Sequence, residues 1–285
     1  MANDSNILAI DIGSSCIKLG WFPRDGACTS DKPASALPIA PPPLANPGET
    51  FRIEHRNRLA EDWAVALDGC INSLPPTSET VCVVASVHAG VAEKLLTRLR
   101  LRTWERLILL RAADLPLEVR VAAPEKVGID RLLGAMTVNQ LRRPGTAAIA
   151  VDMGTATTVD LIGADGAFEG GAIVAGPTLA LAALHAGTAS LPRLDESVLT
   201  APPFAVGKST AVAMAAGAYW GAIGAVRELV KQLAATCPAE PQVFLTGGGA
   251  EGFAPLMGEG ELAARYLPNL VLAGIRLAAD GRTAS

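Results

Sequence analysis

The stretch AIAVDMGTATTVDLIGADG, residues 148–166, joins an apolar run to a turn that is rich in hydroxyl groups. An earlier stretch, LAIDIGSSCIKLGWF at residues 8–22, has the same order of an apolar run, Asp, an apolar residue, Gly, hydroxyl residues and a second apolar run. Two apolar runs around a tight glycine turn predict a β-hairpin. Because the pattern occurs twice, we predict an α/β chain with two halves, each opened by one hairpin.

The composition is that of a globular protein. Half of the 285 residues are hydrophobic, enough to bury the core of one large domain or two ordinary ones. No apolar run reaches the roughly 20 residues that a membrane-spanning helix needs, and the sequence MANDSNILAI lacks the basic and cleavage regions of a signal peptide. We therefore expect a soluble, cytoplasmic protein that does not contact a membrane.

Cysteine spacing and charge argue against three other classes of site. The five cysteines are scattered without a CxxC pair, and the chain has only three histidines, so we expect reduced thiols rather than a disulfide framework or a zinc site. These cysteines are Cys16, Cys28, Cys70, Cys82 and Cys237. The net charge is −4, and the longest basic cluster is RLRLRTWER, which we predict to be a helix face. Nucleic acid is therefore not an expected partner.

Strand and helix patterns alternate along the chain. We predict strands at NILAIDIG, CIKLGWF and ETVCVVASV, a strand-like LEVRVAAP, a helix at VAEKLLTRLR, and a helix that starts near Asp130 and is ended by Pro144-Gly145. Residues 33–50 are rich in proline and poor in charge, which predicts an extended surface segment. The expected domains are residues 1–143 and 144–285, and the final helix is free to pack back on the first domain.

An Asp-x-Gly hairpin has the chemistry to bind phosphate. Glycine lets backbone N–H groups approach an anion, Ser and Thr hydroxyls add donors, and the carboxylate before the turn can hold Mg²⁺. The alternative is that Asp11 and Asp152 only cap tight turns. Two matching copies favour phosphate binding.

Three other motifs support no function by themselves. VGKST, residues 206–210, resembles the end of a P-loop, but Pro202 stands where that motif needs glycine and no strand leads into it. GGGAEG, residues 247–252, fits the dinucleotide pattern, yet too few residues follow for a complete βαβ unit, so an NAD-dependent enzyme is a weaker alternative. His88 has no nucleophile beside it in the sequence, which favours a structural role.

A larger set of motifs resembles one family. DIGSS, VGIDR, VDMGTATTVD, GGAIVAGPTLALAALHAGTASLP, VGKSTAVAMAAGAYWGAIGAV, FLTGGGA and YLPNLVLAGIRLAA follow one another in the order found in type III pantothenate kinases, also described as Bvg accessory factors. The resemblance runs from Asn6 to Ala279. It implies the fold of the actin, heat-shock chaperone ATPase and sugar kinase superfamily, with two ribonuclease-H-like domains, a duplicated β-hairpin phosphate motif, ATP in the cleft between the domains, and a homodimer.

The resemblance assigns roles in the first half of the chain. It implies that Asp11 lies near Mg²⁺ and the phosphates. It implies phosphate-loop or nucleotide contacts for Gly13, Ser14, Ser15 and Lys18. Asp130 is implied to be the general base, Arg131 the contact for the substrate carboxylate, and Gly128 part of the substrate site. Transfer of phosphate to an alcohol also needs a base near the hydroxyl. Spacing alone favours a helix N-cap for Asp130, and the resemblance to the family reverses that preference.

In the second half, the resemblance implies that Asp152 is a ligand of a monovalent cation, K⁺ or NH₄⁺. It implies that nucleotide contacts come from Gly154, Thr155, Thr157, Gly247 and Gly248. It places Thr188 in the substrate pocket, where it contributes across the dimer interface or the cleft. The helical run AVAMAAGAYWGAIGAV is apolar on every side, which predicts burial in a core or against a second subunit.

Some positions depart from the family pattern. Ser14-Ser15 replaces Asn-Thr, Ile129 replaces Ala, and residues 121–124, VAAP, replace Tyr-x-Asn-Pro. The change at Ser14-Ser15 removes one amide donor, and the changes at residues 121–124 remove contacts on the substrate side. The acidic residues and Arg131 remain in place. The predicted function is ATP-dependent phosphorylation of pantothenate to 4'-phosphopantothenate, the first step of coenzyme A biosynthesis. The alternative is a catalytically weakened member that acts as a regulatory or nucleotide-binding protein.

Overall fold

The structure is a computed structural model that describes residues 5–24, 46–56, 60–257 and 263–283. Its chain forms two compact units. Unit 1 contains the described residues up to Leu117, Ala123–Leu141 and those from Asn269 onward; unit 2 contains Glu118–Ala122 and Arg142–Pro268. The predicted boundary at 143/144 lies close to the crossing between Leu141 and Arg142, whereas residues 118–122 group with unit 2 and the last helix groups with unit 1.

Each unit is built on one five-stranded sheet. The strands of unit 1 are β1 (Asn6–Ile12), β2 (Cys16–Phe22), β3 (Glu49–Glu54), β4 (Thr80–Ser86) and β5 (Arg106–Leu109). Those of unit 2 are β6 (Ala148–Met153), β7 (Ala156–Ile162), β8 (Phe168–Ala175), β9 (Gln242–Thr246) and β10 (Arg265–Tyr266). The orders are β3-β2-β1-β4-β5 and β8-β7-β6-β9-β10. In both sheets the first three strands are antiparallel and the last two run parallel to the central one. The α/β class and the duplicated hairpin are therefore confirmed.

The helices are α1 (Ala60–Asn72), α2 (Ala89–Leu99), α3 (Ile129–Leu141), α4 (Pro177–Ala186), α5 (Thr210–Ala234), α6 (Ala254–Met257) and α7 (Leu270–Thr283). In the part of the chain that the structure describes, none of them is long and apolar enough to cross a membrane.

The sheet of unit 1 is covered on both faces. Alternate residues of the hairpin, such as Ile10 and Leu19, pack with Leu67 of α1 and Leu95 of α2 in one core. On the other face, Leu272 of α7 lies against Gly20 of β2. The first hairpin is thus held rigidly from both sides.

Helix α3 owes its position to α7. The Thr137 hydroxyl donates to the backbone carbonyls of Leu133 and Leu270, and a Cβ on Gly274 would lie only 2.5 Å from the Leu133 oxygen. The close crossing of the two helices fixes the start of α3, where the predicted base is found.

In unit 2, one face of the sheet packs on α5. Val151 and Val159 share a core with Tyr219, whose ring stacks on Phe253 with centroids 4.4 Å apart. The Tyr219 hydroxyl donates to the Gly252 carbonyl at 2.7 Å. These contacts anchor the segment that follows β9.

Some local predictions differ from the structure. The cluster RLRLRTWER is not one helix face, because α2 ends at Leu99 and β5 begins at Arg106. LEVRVAAP forms only an isolated parallel bridge, between Val119 and Phe168. Residues 33–45 and Cys28 lie outside the described residues, and residues 49–50 belong to β3 rather than to an extended surface segment. The other four cysteines are free thiols in the structure.

Candidate functional site

The first candidate site lies where β1 and β2 approach their turn. Asp11 of β1 stands opposite Lys18 of β2 in the antiparallel register. Directly paired residues project from the same face of a sheet, so the carboxylate and the ammonium group are neighbours. Asp11 is buried and Lys18 half-buried. Their face is the one that α7 covers, since the intervening Ile10, Ile12 and Leu19 point into the core with α1 and α2.

The turn itself is tight and held by backbone hydrogen bonds. The Gly13 N–H donates to the Cys16 carbonyl at 3.0 Å, which closes the hairpin. The Val87 N–H, just after β4, donates to the Ile12 carbonyl at 3.0 Å. Ser14 is exposed and Ser15 half-buried at the tip. The turn is thus a fixed loop that presents a serine to solvent.

Asp130 lies in the first turn of α3, one residue past its start. Its carboxylate accepts the Arg131 N–H at 2.9 Å. A Cβ on Gly128 would lie 2.5 Å from Asp130 Oδ1, so glycine at that position makes room for the carboxylate. The Arg131 N–H also donates to the Gly128 carbonyl at 3.1 Å, so the Asp130 carboxylate shares this donor at the helix start with a backbone oxygen. A capping contribution therefore coexists with any catalytic one.

Electrostatics connect Asp130 with the hairpin. Burial raises the pKa of the Asp130 carboxyl above its usual range, while the hydrogen bond from Arg131, the Arg131 charge and the Lys18 charge oppose that rise. Lys18 therefore acts on Asp130 across the space between β2 and α3 and also faces Asp11 in the sheet. Lys18 is therefore the residue of the first hairpin that links Asp11 with Asp130 electrostatically.

The second candidate site is the equivalent turn of unit 2. Asp152 of β6 is in register with Thr158 of β7 and with Thr246 of β9. Gly154 N–H closes the hairpin by donating to the Ala156 carbonyl at 3.0 Å, as Gly13 does in unit 1. The carboxylate and two hydroxyl residues therefore share one face of the sheet.

Glycines surround this turn on two sides. Gly247 has φ +107°, and a Cβ there would lie 2.5 Å from both Asp152 Oδ1 and the Met153 oxygen. Gly249 N–H donates to the Met153 carbonyl at 2.9 Å. On the other side, Gly176 N–H donates to the Thr155 carbonyl at 3.0 Å, and its α-carbon lies too close to the turn's backbone to carry a side chain.

Three of the residues predicted from the resemblance have clear positions in this loop. Gly154 and Thr155 are half-buried in the turn, and Gly248 is exposed directly after Gly247. The phosphate-contact expectation for these residues stays a prediction. What the sequence reasoning missed is Gly176, although the Gly-Pro pair before a helix was a visible signal.

Thr157 lies on the opposite face from Asp152. It is paired with Met153 and only 1% exposed, within the face that packs on α5. Its hydroxyl has no hydrogen-bond partner among the described residues. Since side chains alternate along a strand, Thr158 lies on the face of Asp152, and the phosphate-loop role expected for Thr157 stays a prediction.

Thr188 is found near the far end of α4. Its hydroxyl donates to the Leu184 carbonyl at 2.7 Å, and it lines an open cavity of about 540 Å³ with small residues of α4 and α5. Helix α4 starts beside the turn at Gly176 and runs ten residues, about 15 Å at 1.5 Å per residue. Within unit 2, Thr188 is therefore separated from the Asp152 turn by the length of a helix.

The described residues contain no group of three or more His, Cys, Asp or Glu side chains that could cage a metal. His88 caps α2 by accepting the Val91 N–H at 3.3 Å, which agrees with the structural role expected for it.

A family model described as type III pantothenate kinase matches residues 7–232. This match spans both hairpins and α3. The chain belongs to the type III pantothenate kinase family.

Two curated members of this family illustrate the extent of similarity. The type III pantothenate kinase of Gluconobacter oxydans is 40% identical over 171 residues, which are 60% of each chain. The chain thus spans about 60% of the length of that relative. The type III pantothenate kinase of Thermus thermophilus is 34% identical over 258 residues, covering 88% of this chain and 90% of the relative.

Solved structures with little sequence identity have the same fold. A putative Baf family transcriptional activator from Campylobacter jejuni aligns with a TM-score of 0.56 at 16% identity, over 98% of this chain and all of that one. MreB5 of Spiroplasma citri bound to ADP aligns with a TM-score of 0.50 at 12% identity, over 98% of this chain and 97% of that one. The expected actin-like ATPase fold with two ribonuclease-H-like domains is confirmed.

Proposed function

We propose that this protein transfers the γ-phosphoryl group of ATP to the primary hydroxyl of pantothenate, giving 4'-phosphopantothenate for coenzyme A biosynthesis. The observation that carries the proposal is that, in a chain of the type III pantothenate kinase family, Lys18 faces Asp11 across the first hairpin and its charge also lowers the pKa of Asp130. An acidic group for a metal, a cation for phosphate and a carboxylate base are the parts that phosphoryl transfer to an alcohol uses.

Asp130 is proposed as the general base. Its raised pKa makes its carboxylate a better proton acceptor than a solvated one, and the Lys18 and Arg131 charges keep it from rising further. Because the transition state of phosphoryl transfer is loose, the base mainly orients the hydroxyl and takes its proton late. The fixed start of α3 suits that positioning role.

Arg131 is proposed to hold the pantothenate carboxylate. A guanidinium group pairs with a carboxylate through two parallel hydrogen bonds, so it fixes direction as well as charge. Arg131 is half-buried and adjacent to Asp130, and Gly128 completes this end of the site. Neighbouring residues at a helix start can serve the two ends of one short substrate.

Mg²⁺ and the ATP phosphates are assigned to the first hairpin. Magnesium is usually held by one or two carboxylates together with substrate phosphates, which fits a single buried Asp11 and the lack of a larger acidic cage among the described residues. When bound, the ion would neutralise charge on the phosphates. Lys18 and the turn residues Gly13, Ser14 and Ser15 would bind phosphate oxygens directly.

The monovalent cation, K⁺ or NH₄⁺, is assigned to Asp152. The Asp152 carboxylate and the Met153 carbonyl, which also accepts the Gly249 N–H, offer oxygen ligands, and the lack of a side chain on Gly247 keeps these two oxygens uncrowded. Such a cation would supply positive charge near the nucleotide. Gly154, Thr155, Thr157, Gly247 and Gly248 are proposed as nucleotide contacts. Of these, the Thr157 side chain is buried, at 1% exposed.

The active form is proposed to be a cytoplasmic homodimer joined through α4, α5 and the loop between them. Large apolar side chains are exposed on this part of unit 2, namely Leu184, Phe204, Val206, Val212 and Trp220. Apolar surface of this extent is typical of an interface. Thr188 lies on the same surface, so a partner subunit would be the means by which it reaches a substrate.

The deciding experiment measures ADP formation with Mg·ATP and pantothenate, with and without K⁺ or NH₄⁺. We expect ADP formation that depends on pantothenate, rises with the cation and is lost in the Asp130→Asn variant. ATP binding without pantothenate-dependent turnover would contradict this function and support a regulatory, nucleotide-binding role instead.

A further inference from the structure

A buried histidine is hydrogen-bonded to the turn of the first hairpin. His55 directly follows β3 and is 7% exposed. Its Nε2 lies 2.9 Å from the carbonyl oxygen of Gly13. Because a carbonyl can only accept a hydrogen bond, Nε2 carries a proton and donates it.

The same segment holds the next carbonyl of the turn. The backbone N–H groups of His55 and Arg56 donate to the Ser15 oxygen at 3.0 and 3.2 Å. The carbonyls on both sides of Ser14, those of Gly13 and Ser15, are thus bound by residues 55 and 56. In the second hairpin turn, the N–H groups of two glycines bind backbone carbonyls instead.

Fixing a carbonyl also fixes the N–H of the same peptide group. In a planar trans peptide the C=O and N–H bonds point in opposite directions. Holding the Gly13 oxygen against His55 therefore turns the Ser14 N–H away from the His55 ring. Ser14 itself is exposed at the tip of the turn.

A second histidine supports the first. The rings of His55 and His88 meet edge to face with centroids 5.4 Å apart. His88 is itself fixed. Its ring Nδ1 accepts the Val91 N–H, and its backbone N–H donates to Ser86 Oγ at 3.0 Å. The His55 imidazole thus packs against a ring that the start of α2 holds in place.

We propose that His55 is a positioning residue for ATP: through the Gly13 carbonyl it holds the turn in the conformation in which the Ser14 N–H donates to a phosphate oxygen. The proposal rests on the proposed function, since it assigns a supporting role within the same phosphate loop. Oriented backbone N–H groups are effective phosphate ligands only when they are held before the ligand arrives.

The test compares three substitutions at residue 55 with a matched control. His55→Leu removes the donor, His55→Asn retains a polar group too short to reach Gly13, and His55→Gln places an amide N–H near the position of Nε2. The control is Trp104→Phe, because Trp104 Nε1 donates to the Leu99 carbonyl at 2.8 Å in the same unit. Like His55→Leu, this variant loses one hydrogen bond from a ring N–H to a backbone carbonyl, but at a place away from the turn.

We expect His55→Leu and His55→Asn to weaken Mg·ATP binding, measured by calorimetry, by about 5- to 10-fold, the scale of one hydrogen bond. The KM for ATP should rise by the same factor, while kcat and the KM for pantothenate change less than about two-fold. His55→Gln should restore most of the affinity. Trp104→Phe should lower the melting temperature and leave Mg·ATP affinity unchanged.

Two results would overturn the positioning role alone: wild-type Mg·ATP affinity in folded His55→Asn, or an equal loss of affinity in Trp104→Phe. The wild-type protein would still turn over pantothenate in either case, so the proposed function would stand. A wild-type protein that binds no Mg·ATP would overturn both. Should His55→Leu fail to fold, the comparison of the Asn and Gln variants decides.

Discussion

Gly128 packs so closely against the side chain of Asp130 that a Cβ on Gly128 would lie 2.5 Å from the Asp130 Oδ1 atom. The obstructed atom belongs to a side chain, so a new methyl group would displace the carboxylate and leave the backbone almost unchanged. We expect Gly128→Ala to lower kcat by about 10-fold or more through misplacement of the base, with little change in the KM for ATP. Steady-state kinetics with pantothenate varied and ATP saturating measure this effect.

Gly134→Ala is the matched control for that substitution. Gly134 lies in the same helix, and the nearest atom to a Cβ there is Leu270 Cδ2 at 3.8 Å, an ordinary contact. Alanine is favoured over glycine in a helix by about 1 kcal/mol, so this variant should be as stable as the wild type or more stable, with unchanged kcat. Equal activity of the two variants would show that Gly128 does not place the carboxylate.

The Asp130→Asn variant separates catalysis from helix capping. We expect kcat to fall by about 100-fold or more, on the usual scale for loss of a general base, with the KM for ATP retained. A pure cap would leave turnover near normal in this variant, because Asn caps a helix start about as well as Asp, and only Asp130→Ala would cost about 1 kcal/mol of stability. Measuring kcat and the melting temperature on one sample distinguishes the two roles.

The pH dependence of the same variant follows from the raised pKa of Asp130. A carboxyl group whose pKa is higher in the folded than in the unfolded state binds more protons when folded, so its contribution to stability falls as pH rises between the two values. Asn removes this cost. At pH 7 the variant should melt no lower than the wild type, and its advantage should shrink as the pH is lowered towards the carboxyl pKa. An advantage that grows on acidification would contradict the burial of a charged Asp130.

Local pattern was enough to predict the two hairpins and α3. Asp-x-Gly between apolar runs is a short-range signal, and a duplicated signal implies a duplicated unit. The glycine-rich β8 and the edge strand β3 were not predicted, because FEGGAIVA and ETFRIE lack a strong apolar alternation and gain their strand conformation from pairing with β7 and β2.

Long-range placement was the main part that sequence could not supply. Grouping of residues 118–122 with unit 2 depends on the bridge between Val119 and Phe168 and on the ion pairs of Arg120 with Asp165 and Glu169. The close packing of Gly128 against Asp130 and the hydrogen bond from His55 to Gly13 likewise could not be predicted from the sequence, because both depend on the three-dimensional structure. Which of Thr157 and Thr158 shares a face of the sheet with Asp152 depends on strand register, which a motif match does not resolve.

Gly247 is expected to be indispensable to the second site. An alanine there would adopt an unfavourable positive φ and would place its Cβ 2.5 Å from both Asp152 Oδ1 and the Met153 oxygen. We expect Gly247→Ala to lose about 2 kcal/mol or more, since the left-handed backbone alone costs about 1 to 2 kcal/mol. Activation by K⁺ or NH₄⁺ should also be lost, because the carboxylate is pushed out of place.

Gly145→Ala serves as its control, because Gly145 has φ +73° but open space around a Cβ. This variant should show only the backbone cost, measured by denaturant unfolding, and normal cation activation. Cation activation that survives in Gly247→Ala would remove the assignment of the monovalent cation to Asp152.

The exposed apolar surface of unit 2 predicts how the dimer can be broken. Phe204 is 85% exposed and lies in the loop between α4 and α5, where Trp220 Nε1 also holds the chain by donating to the Pro203 carbonyl at 3.0 Å. A charge placed in a buried apolar interface has no partner and is strongly destabilising there. We expect Phe204→Glu to shift the protein from dimer to monomer by light scattering at micromolar concentration, and to lower turnover with pantothenate if Thr188 acts across the interface.

Leu101→Glu is the control for the dissociation expected in Phe204→Glu. Leu101 is 84% exposed in unit 1, so the same change of an exposed apolar residue to a carboxylate is made away from the proposed interface. It should leave both the oligomeric state and the turnover unchanged, since an exposed carboxylate remains hydrated. If the wild type is already a monomer, or if both variants dissociate to the same extent, the surface formed by α4 and α5 is not the dimer contact. If Phe204→Glu is monomeric but fully active, Thr188 has no part in a substrate site formed by two subunits.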